Sequence, residues 1–257
     1  MKKTLLILLA SLATLGLPAS AETLTVAAAS DLTHSIDELA AAFAQQVPGA
    51  EVKTSLGSSG NFYAQIKNGA PFDVFLSADM KYPAQLAREG AADHATLAPY
   101  AVGRIVLWSV DRRFDLSQGM RVLSDPRLQR FAIANPEVAP YGRAAHASLM
   151  ALGFWDTVKP KLVLGDNIAQ TAQFIQTGNA QVGIVSYATV LAPKVKGTGS
   201  YYLIPNDGVP PIEQGAVITR HGAANPLAPR FMEFLQSPAA RAILLKHGFS
   251  LPREKNA

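Results

Sequence analysis

The sequence LTVAAASDL, residues 24–32, predicts a buried strand that ends at a hydroxyl side chain and turns at once into a helix. A second turn of this kind follows at Gly57-Ser58-Ser59-Gly60. The first backbone N–H groups of a helix have no partner within it, and the helix dipole adds partial positive charge there. A serine hydroxyl in the same turn supplies one more donor. Each turn therefore suits a small anion, although a single serine at such a place is also an ordinary N-cap.

The first residues have the pattern of a secretory signal peptide. Lys2 and Lys3 precede an apolar run from Leu5 to Leu17, and Ala19-Ser20-Ala21 fits the small-x-small cleavage rule. We therefore expect residues 1–21 to be removed by cleavage after Ala21. No later stretch is long and apolar enough to span a bilayer, and the chain has no cysteine for a lipid anchor or a disulfide. These features predict an exported protein of the bacterial periplasm.

The net charge and the length of the mature chain limit the classes of function and the number of domains that it can have. Removal of residues 1–21 lowers the formal net charge from +4 to +2, because this segment carries two lysines and no acidic residue. The other basic residues are scattered, without the Lys/Arg blocks and interleaved aromatic residues of nucleic-acid-binding proteins. We therefore expect no nucleic-acid partner. The roughly 236 residues that remain are enough for one large α/β domain or two smaller lobes.

Short β-rich runs alternate with helical patterns almost throughout the chain, which is typical of parallel sheets with helices on both faces. For example, Ile36, Leu39 and Phe43 recur at helical spacing. The predicted strands are Leu24–Ala28, Glu51–Leu56, Asp73–Ser77, Gly103–Ser109, Arg130–Ala134, Lys161–Leu164, Gln181–Val185, Tyr201–Ile204 and Gly215–Thr219. The fold class is therefore α/β.

The order of these segments predicts two lobes. Residues 22–102 form the first βα units, and residues 214–257 return to them with a strand and two helices at Pro226–Gln236 and Pro238–His247. Residues 103–213 form the second lobe. A Pro- and Gly-rich stretch at residues 205–211 resembles a linker near the return, whereas the first crossing has no strong helix or strand breaker.

Four turns follow a predicted strand and open a helix, two in each lobe. They are Ser30-Asp31, Ser58-Ser59-Gly60, Pro140-Tyr141-Gly142 and Gly165-Asp166-Asn167-Ile168. Ligands of open α/β sheets bind beyond the carboxyl ends of the strands. The pattern therefore predicts a ligand cleft between the lobes, with donors from both sides.

Several longer segments resemble the periplasmic molybdate-binding proteins of ABC importers. They are AAAS at residues 27–30, GSSG at 57–60, GAPFDVFLSAD at 69–79, NPEVAPYG at 135–142 and GIV at 183–185. The resemblance covers nearly the whole mature chain. It implies a two-lobed periplasmic binding protein of the type II-like class, with two mixed sheets flanked by helices. It also implies molybdate or tungstate as the ligand, a membrane permease as the partner, a monomeric state and no cofactor.

The resemblance also implies the site residues. In that family the oxyanion is bound without a side chain that coordinates the metal, so we expect no direct metal ligand here. Ser30 and Ser59 would supply hydroxyl and backbone donors from the first lobe. Tyr141 and Ile168 would supply backbone N–H donors from the second lobe. A second tier of neighbouring residues consists of Asp31, Ser58, Ser186 and Tyr187, the last two at the place where some members carry a ligand tyrosine.

Neutral donors suit molybdate because this dianion has four acceptor oxygens and no proton at neutral pH. Hydrogen phosphate would leave its own proton unpaired in a pocket of donors, at a cost of about 1–3 kcal/mol. Sulfate has the same charge as molybdate and must be rejected by size. A carboxylate beside the dianion would repel it, so we expect the Asp31 side chain to turn away and cap the helix.

Two alternatives remain open at this point. The same fold could bind another oxyanion, such as sulfate or phosphate, or a small organic anion. An exported hydrolase is the more remote alternative, because Gly57-Ser58-Ser59-Gly60 lacks the Gly-x-Ser-x-Gly spacing and none of the five histidines has a motif partner. The sequence also shows no His or Asp cluster with the spacing of a metal site. We therefore interpret the protein as a binding protein and not as an enzyme.

Overall fold

The computed structural model describes residues 22–205 and 211–253, so the predicted signal peptide and most of the predicted linker lie outside the described residues. Within these ranges the chain contains ten strands and nine α-helices. The strands are β1 (Glu22–Ala29), β2 (Ala50–Gly57), β3 (Val74–Ser77), β4 (Ala98–Gly103), β5 (Ile105–Ser109), β6 (Phe131–Ala134), β7 (Leu162–Gly165), β8 (Val182–Ser186), β9 (Ser200–Leu203) and β10 (Ile212–Ile218). The α-helices are α1 (Ile36–Gln46), α2 (Ser59–Lys67), α3 (Lys81–Arg88), α4 (Pro140–Ala151), α5 (Trp155–Val158), α6 (Ile168–Gln176), α7 (Tyr187–Leu191), α8 (Leu227–Leu235) and α9 (Pro238–Lys246).

Each lobe is built on a five-stranded mixed sheet. The first sheet has the order β2-β1-β3-β10-β4, in which β1 runs parallel to β2 and β3 while β10 runs antiparallel to β3 and β4. The second has the order β7-β6-β8-β5-β9, in which β6 runs parallel to β7 and β8 while β5 runs antiparallel to β8 and β9. The α/β fold with two mixed sheets and a cleft between two lobes is therefore confirmed.

The crossing from the first sheet to the second differs from the expected single strand at Gly103–Ser109. Two strands lie here, β4 in the first sheet and β5 in the second, and only Arg104 separates them. The residue between the two strands, Arg104, is neither Gly nor Pro and does not mark the end of a strand in the sequence. For this reason β4 was missed. The chain returns to the first sheet between β9 and β10.

Both faces of the first sheet are covered, which explains the uninterrupted apolar run of β1. Val26 packs into a buried cluster on one face together with Phe43 of α1, whereas Ala27 packs into a cluster on the other face together with Phe62 of α2. Strands that are covered on both faces carry apolar residues at successive positions and not at alternate ones. The second lobe has its own buried cluster around Trp108 and Phe131.

The predicted helical spacing is also present in the structure. Ile36, Leu39 and Phe43 are the buried residues of α1 and lie on one face, as their spacing indicates. Ser237 begins α9 by accepting a hydrogen bond from the N–H of Ala240 at 3.3 Å. No helix in the described part of the chain combines the length and the apolar character needed to cross a membrane.

Candidate functional site

A small cavity lies between the two lobes, where the carboxyl ends of their parallel strands face each other. Its walls come from the turns that the sequence singled out, two from each lobe. The lining residues are Ala29, Ser30, Asp31, Gly57, Ser58, Ser59, Ala78, Ala139, Pro140, Tyr141, Asn167 and Ile168. The four residues expected to bind the ligand, Ser30, Ser59, Tyr141 and Ile168, are thus brought together, and each is buried.

Three α-helices and one 3₁₀ helix begin at this cavity. Ser58 caps α2 and Asn167 caps α6, each accepting a hydrogen bond from the N–H three residues later. Proline stands at the first position of α4, where its missing N–H costs nothing. The N–H groups of Ser59, Tyr141 and Ile168 lie in first helical turns, where no intrahelical carbonyl can accept from them. These turns therefore present unsatisfied backbone donors to the cavity.

The hydroxyl groups of Ser59 and Ser30 add to these donors. The Ser59 hydroxyl oxygen accepts a hydrogen bond from the N–H of Ala78 at 3.0 Å, which fixes its position and leaves its proton available. Among the residues that the structure describes, the Ser30 side chain makes no hydrogen bond, although it is only 6% exposed. Ser30 stands at the start of the 3₁₀ helix Ser30–His34, which directly follows β1.

The Asp31 carboxylate also lines the cavity, and the expectation that it caps the helix was wrong. The helix has no side-chain cap. The Asp31 Oδ2 instead accepts hydrogen bonds from the Tyr141 hydroxyl at 3.0 Å and from the Nε2 of Gln214. The same Nε2 donates to the Tyr141 hydroxyl at 3.2 Å, and the Gln214 Oε1 accepts from the Tyr100 hydroxyl at 2.7 Å. A buried polar network therefore joins the first lobe to Tyr141 of the second.

Burial governs the titration of this network. Burial raises the pKa of Asp31 from 3.8 to about 6, although the hydrogen bonds from Gln214 and Tyr141 act in the opposite direction. Burial, together with the Asp31 charge, holds the pKa values of Tyr100 and Tyr141 well above their usual range. Both phenols therefore stay protonated and act as donors or neutral acceptors at any physiological pH.

The lobes also touch at the edge of the cavity. The Gly60 N–H donates to the Val138 carbonyl at 2.8 Å across the cleft. Tyr82 of the first lobe donates its hydroxyl to the Glu137 carbonyl at 3.3 Å, and Arg143 of the second lobe forms an ion pair with Asp79. The structure therefore shows the two lobes in contact around the small cavity.

Comparisons with known proteins agree with this architecture. The family described as bacterial extracellular solute-binding protein matches residues 24–250. The molybdate-binding protein ModA of Rhodobacter capsulatus is 41% identical over 235 residues, which cover 91% of each chain. The ModA of Azotobacter vinelandii is 40% identical over 91% of this chain and 92% of that protein.

The chain belongs to the ModA family of bacterial extracellular solute-binding proteins. The solved structure of the Azotobacter vinelandii periplasmic molybdate-binding protein superposes with a TM-score of 0.84 at 37% identity, covering 90% of this chain and 100% of that chain. The sulfate-binding protein SubI of Mycobacterium tuberculosis superposes with a TM-score of 0.74 at 16% identity, which shows a shared fold alone. Membership of this family makes the chain a transport component and not an enzyme.

Two second-tier residues lie away from the ModA-type cavity. Ser186 accepts a hydrogen bond from the Thr189 N–H at 3.2 Å and caps α7. The Arg104 guanidinium lies over the Tyr187 ring, with its Cζ 5.3 Å from the centre of the ring. Neither residue lines the cavity, whereas the other two second-tier residues, Asp31 and Ser58, do.

Sequence reasoning missed three residues that shape this site in the ModA-type fold. The Ala78 N–H positions the Ser59 hydroxyl, Gln214 of β10 donates to Asp31, and Tyr100 of β4 donates to Gln214. In the sequence, Gln214 is a polar residue directly before the apolar segment Gly215–Ile218, and the structure shows that it is fully buried. A fully buried amide needs hydrogen-bond partners, so it marks a network.

Proposed function

We propose that the protein captures molybdate in the periplasm and delivers it to the membrane permease of an ABC importer. The relatives named above are molybdate-binding proteins, which makes this anion the first candidate. The observation that carries the proposal is the cavity itself, where helix N-termini from both lobes meet serine hydroxyls of the first lobe. None of the described residues that line it is Arg or Lys. We expect tungstate to bind as well, because it has the same charge and nearly the same size.

The donor set fits a tetrahedral dianion. The hydroxyls of Ser30 and Ser59 and the backbone N–H groups of Tyr141 and Ile168 supply one donor for each of four oxygens. Hydrogen bonds to an ionised acceptor are shorter and stronger than those between neutral groups, so four of them can replace much of the anion's hydration. The donors come from two lobes, and therefore a bound anion favours the closed arrangement.

Size and protonation would separate molybdate from its competitors. Sulfate carries the same charge but is smaller, and helix termini held by packed lobes do not close around it without strain. Phosphate at neutral pH carries a proton that needs an acceptor. Asp31 is the acidic residue among the described residues that line the cavity, and its carboxylate keeps phosphate as the second candidate.

The remaining parts of the proposal concern the state of the protein. We expect cleavage after Ala21, an exported mature chain and a monomer that docks on the permease. N-terminal sequencing of the protein recovered from a periplasmic extract checks the cleavage site. Light scattering on a size-exclusion column checks the monomer.

Thermal unfolding of the mature protein with each anion tests the ligand. An anion at a thousand times its Kd stabilises the folded state by about 4 kcal/mol, which raises Tm by about 8–16 °C for a chain of this size. We expect this shift with molybdate and tungstate and not with sulfate or phosphate. A shift with sulfate or phosphate alone would contradict the proposed ligand and leave the site in place.

Serine variants test the site. Ser30→Ala combined with Ser59→Ala should remove molybdate binding in calorimetric titration while circular dichroism shows an intact fold. Ser186→Ala is the matched control, because Ser186 is an equally buried serine outside the cavity. It should lose up to about 2 kcal/mol of stability with its cap and keep its affinity. Undiminished affinity in the double variant would refute the proposed site.

A further inference from the structure

One oxygen of Asp31 is left without a partner. Its Oδ1 is completely shielded from solvent and makes no hydrogen bond to any residue that the structure describes. The Oδ2 already accepts from Tyr141 and Gln214. A buried polar atom without a partner is rare in folded proteins and points to an absent ligand or a proton. Since Asp31 lines the cavity, the unpaired oxygen belongs to the candidate ligand site.

No Lys, Arg or His among the described residues pairs with this carboxylate. The titratable groups that face it are the phenols of Tyr141 on α4 and Tyr100 on β4, and α6 carries no titratable side chain. The charged and titratable groups on the other elements around it are solvent-exposed or engaged elsewhere. On the strands and on α1 they are Glu22, Asp37, Glu213, the pair Glu51–Lys53, and Glu38 with Lys246 and His247. On the other helices they are Tyr63 and Lys67 with Glu89, Arg143 with Asp79, His146 beside Trp155, Tyr187 with Arg104, and His34 beside His247 and Lys194.

We propose that Asp31 binds the captured anion as a proton donor, with its carboxyl protonated at Oδ1 and donating to an anion oxygen. The proposal rests on the function proposed above. The proton comes from solvent, so each dianion that enters the closed cavity brings one proton with it. The Oδ2 keeps its two hydrogen bonds from Tyr141 and Gln214 in this state, and therefore the proton has only Oδ1 to occupy.

The chemistry gives Asp31 a part in specificity. A molybdate dianion with protonated Asp31 places two negative charges in the cavity, and every oxygen meets a donor. Hydrogen phosphate with ionised Asp31 would place three negative charges there. It reaches two charges only by taking up a proton as well, and one of its own O–H groups then still needs an acceptor. The burial that brings the pKa of Asp31 to about 6 means that the acid form is accessible near neutral pH.

Proton counting during titration tests this inference. Calorimetric titrations of the mature protein with sodium molybdate in phosphate-free buffers of different ionisation enthalpy give the number of protons taken up. We expect close to one proton per anion at pH 7.5, and an affinity that falls about tenfold for each pH unit above pH 7. Below about pH 5.5 the affinity should level off, because Asp31 is already protonated there.

Two variants locate the proton. Asp31→Asn should bind molybdate with no proton uptake and no dependence on pH between 6 and 8, because its amide is a permanent donor. Asp73→Asn is the matched control, since Asp73 is a buried aspartate of the same lobe that accepts from Thr25 far from the cavity. It should keep the proton uptake of the wild type.

The outcomes separate the inference from the function on which it rests. Tight molybdate binding without proton uptake would overturn the role of Asp31 and leave the function standing, as would proton uptake that persists in Asp31→Asn. No molybdate binding at any pH would overturn the function. If Asp31→Asn does not fold, infrared difference spectra of the wild type decide instead, because a carboxylic-acid C=O band must appear when molybdate is added.

Discussion

The titration of Asp31 has a measurable effect on the stability of the empty protein. In the unfolded chain this carboxyl has its ordinary pKa of 3.8, whereas burial raises the pKa to about 6 in the fold. Between these two values the folded state binds more protons than the unfolded state, so the free energy of unfolding falls as pH rises. Below pH 3.8 Asp31 is protonated in both states, so its burial costs no stability through ionisation. Above about pH 6 it is ionised in both states, and the loss of stability is complete and constant.

The magnitude follows from the size of the rise in pKa. About two pH units, at about 1.4 kcal/mol for each, give about 3 kcal/mol of stability lost between pH 4 and pH 7. Replacing Asp31 with asparagine removes this titration. It also changes the hydrogen bonds with Tyr141 and Gln214, but that change is the same at every pH. The difference in unfolding free energy between Asp31→Asn and wild type should therefore move by about 3 kcal/mol in favour of the variant across this range.

Urea unfolding followed by circular dichroism, without any anion, measures this difference at half-unit steps from pH 4 to pH 8. Ser186→Ala serves as the control, because it removes a buried hydroxyl without an ionisable group and should differ from wild type by a constant amount. A difference for Asp31→Asn that stays constant within about 0.5 kcal/mol would refute the reasoning, since it would show that the folded carboxyl titrates like the unfolded one.

Three further predictions concern closure and packing. Gly60→Ala would place a Cβ 2.7 Å from the Val138 carbonyl oxygen, so titration should show weaker molybdate binding while the unfolding midpoint changes little. Arg143→Met removes the ion pair with Asp79, a partly exposed contact worth about 1 kcal/mol or less; we expect a loss of affinity of up to about fivefold that shrinks in high salt. Phe43→Ala empties a fully buried position in the first lobe and should cost about 3–5 kcal/mol in urea unfolding, with molybdate affinity unchanged wherever the protein is folded.

Much of the fold follows from local patterns in the sequence. Alternating β-rich and helical segments, and the serine turns after Ala29 and Gly57, were sufficient to predict the α/β class and the convergence of turns at one cleft. These features depend on neighbours in sequence, because a strand end and a helix start are set by a few consecutive residues. The division between β4 and β5 was missed because Arg104 alone carries the chain from one sheet to the other.

The polar network could not be predicted in the same way. The hydrogen bond from Tyr141 to Asp31 joins residues 110 positions apart, and the one from Gln214 spans 183 positions. A local rule therefore favoured a helix cap for Asp31. The Tyr141 hydroxyl and the Gln214 amide reach the Asp31 carboxylate only when the two lobes are packed together. In the buried network these two hydrogen bonds replace the helix cap that the local sequence favours.

The single residue between β4 and β5 constrains how the protein can open. Successive Cα atoms lie about 3.8 Å apart, so the ends of the two strands at Gly103 and Ile105 cannot separate far whatever the lobes do. The lobes are thereby prevented from sliding past each other at this point, and rotation remains. The displacement produced by a rotation grows with distance from its axis, so a rotation that opens the lobes must break the contacts that Tyr82 and Arg143 make across the cleft. A rotation at this crossing therefore changes the angle between the two lobes, and that angle is a feature of the outer surface of the protein.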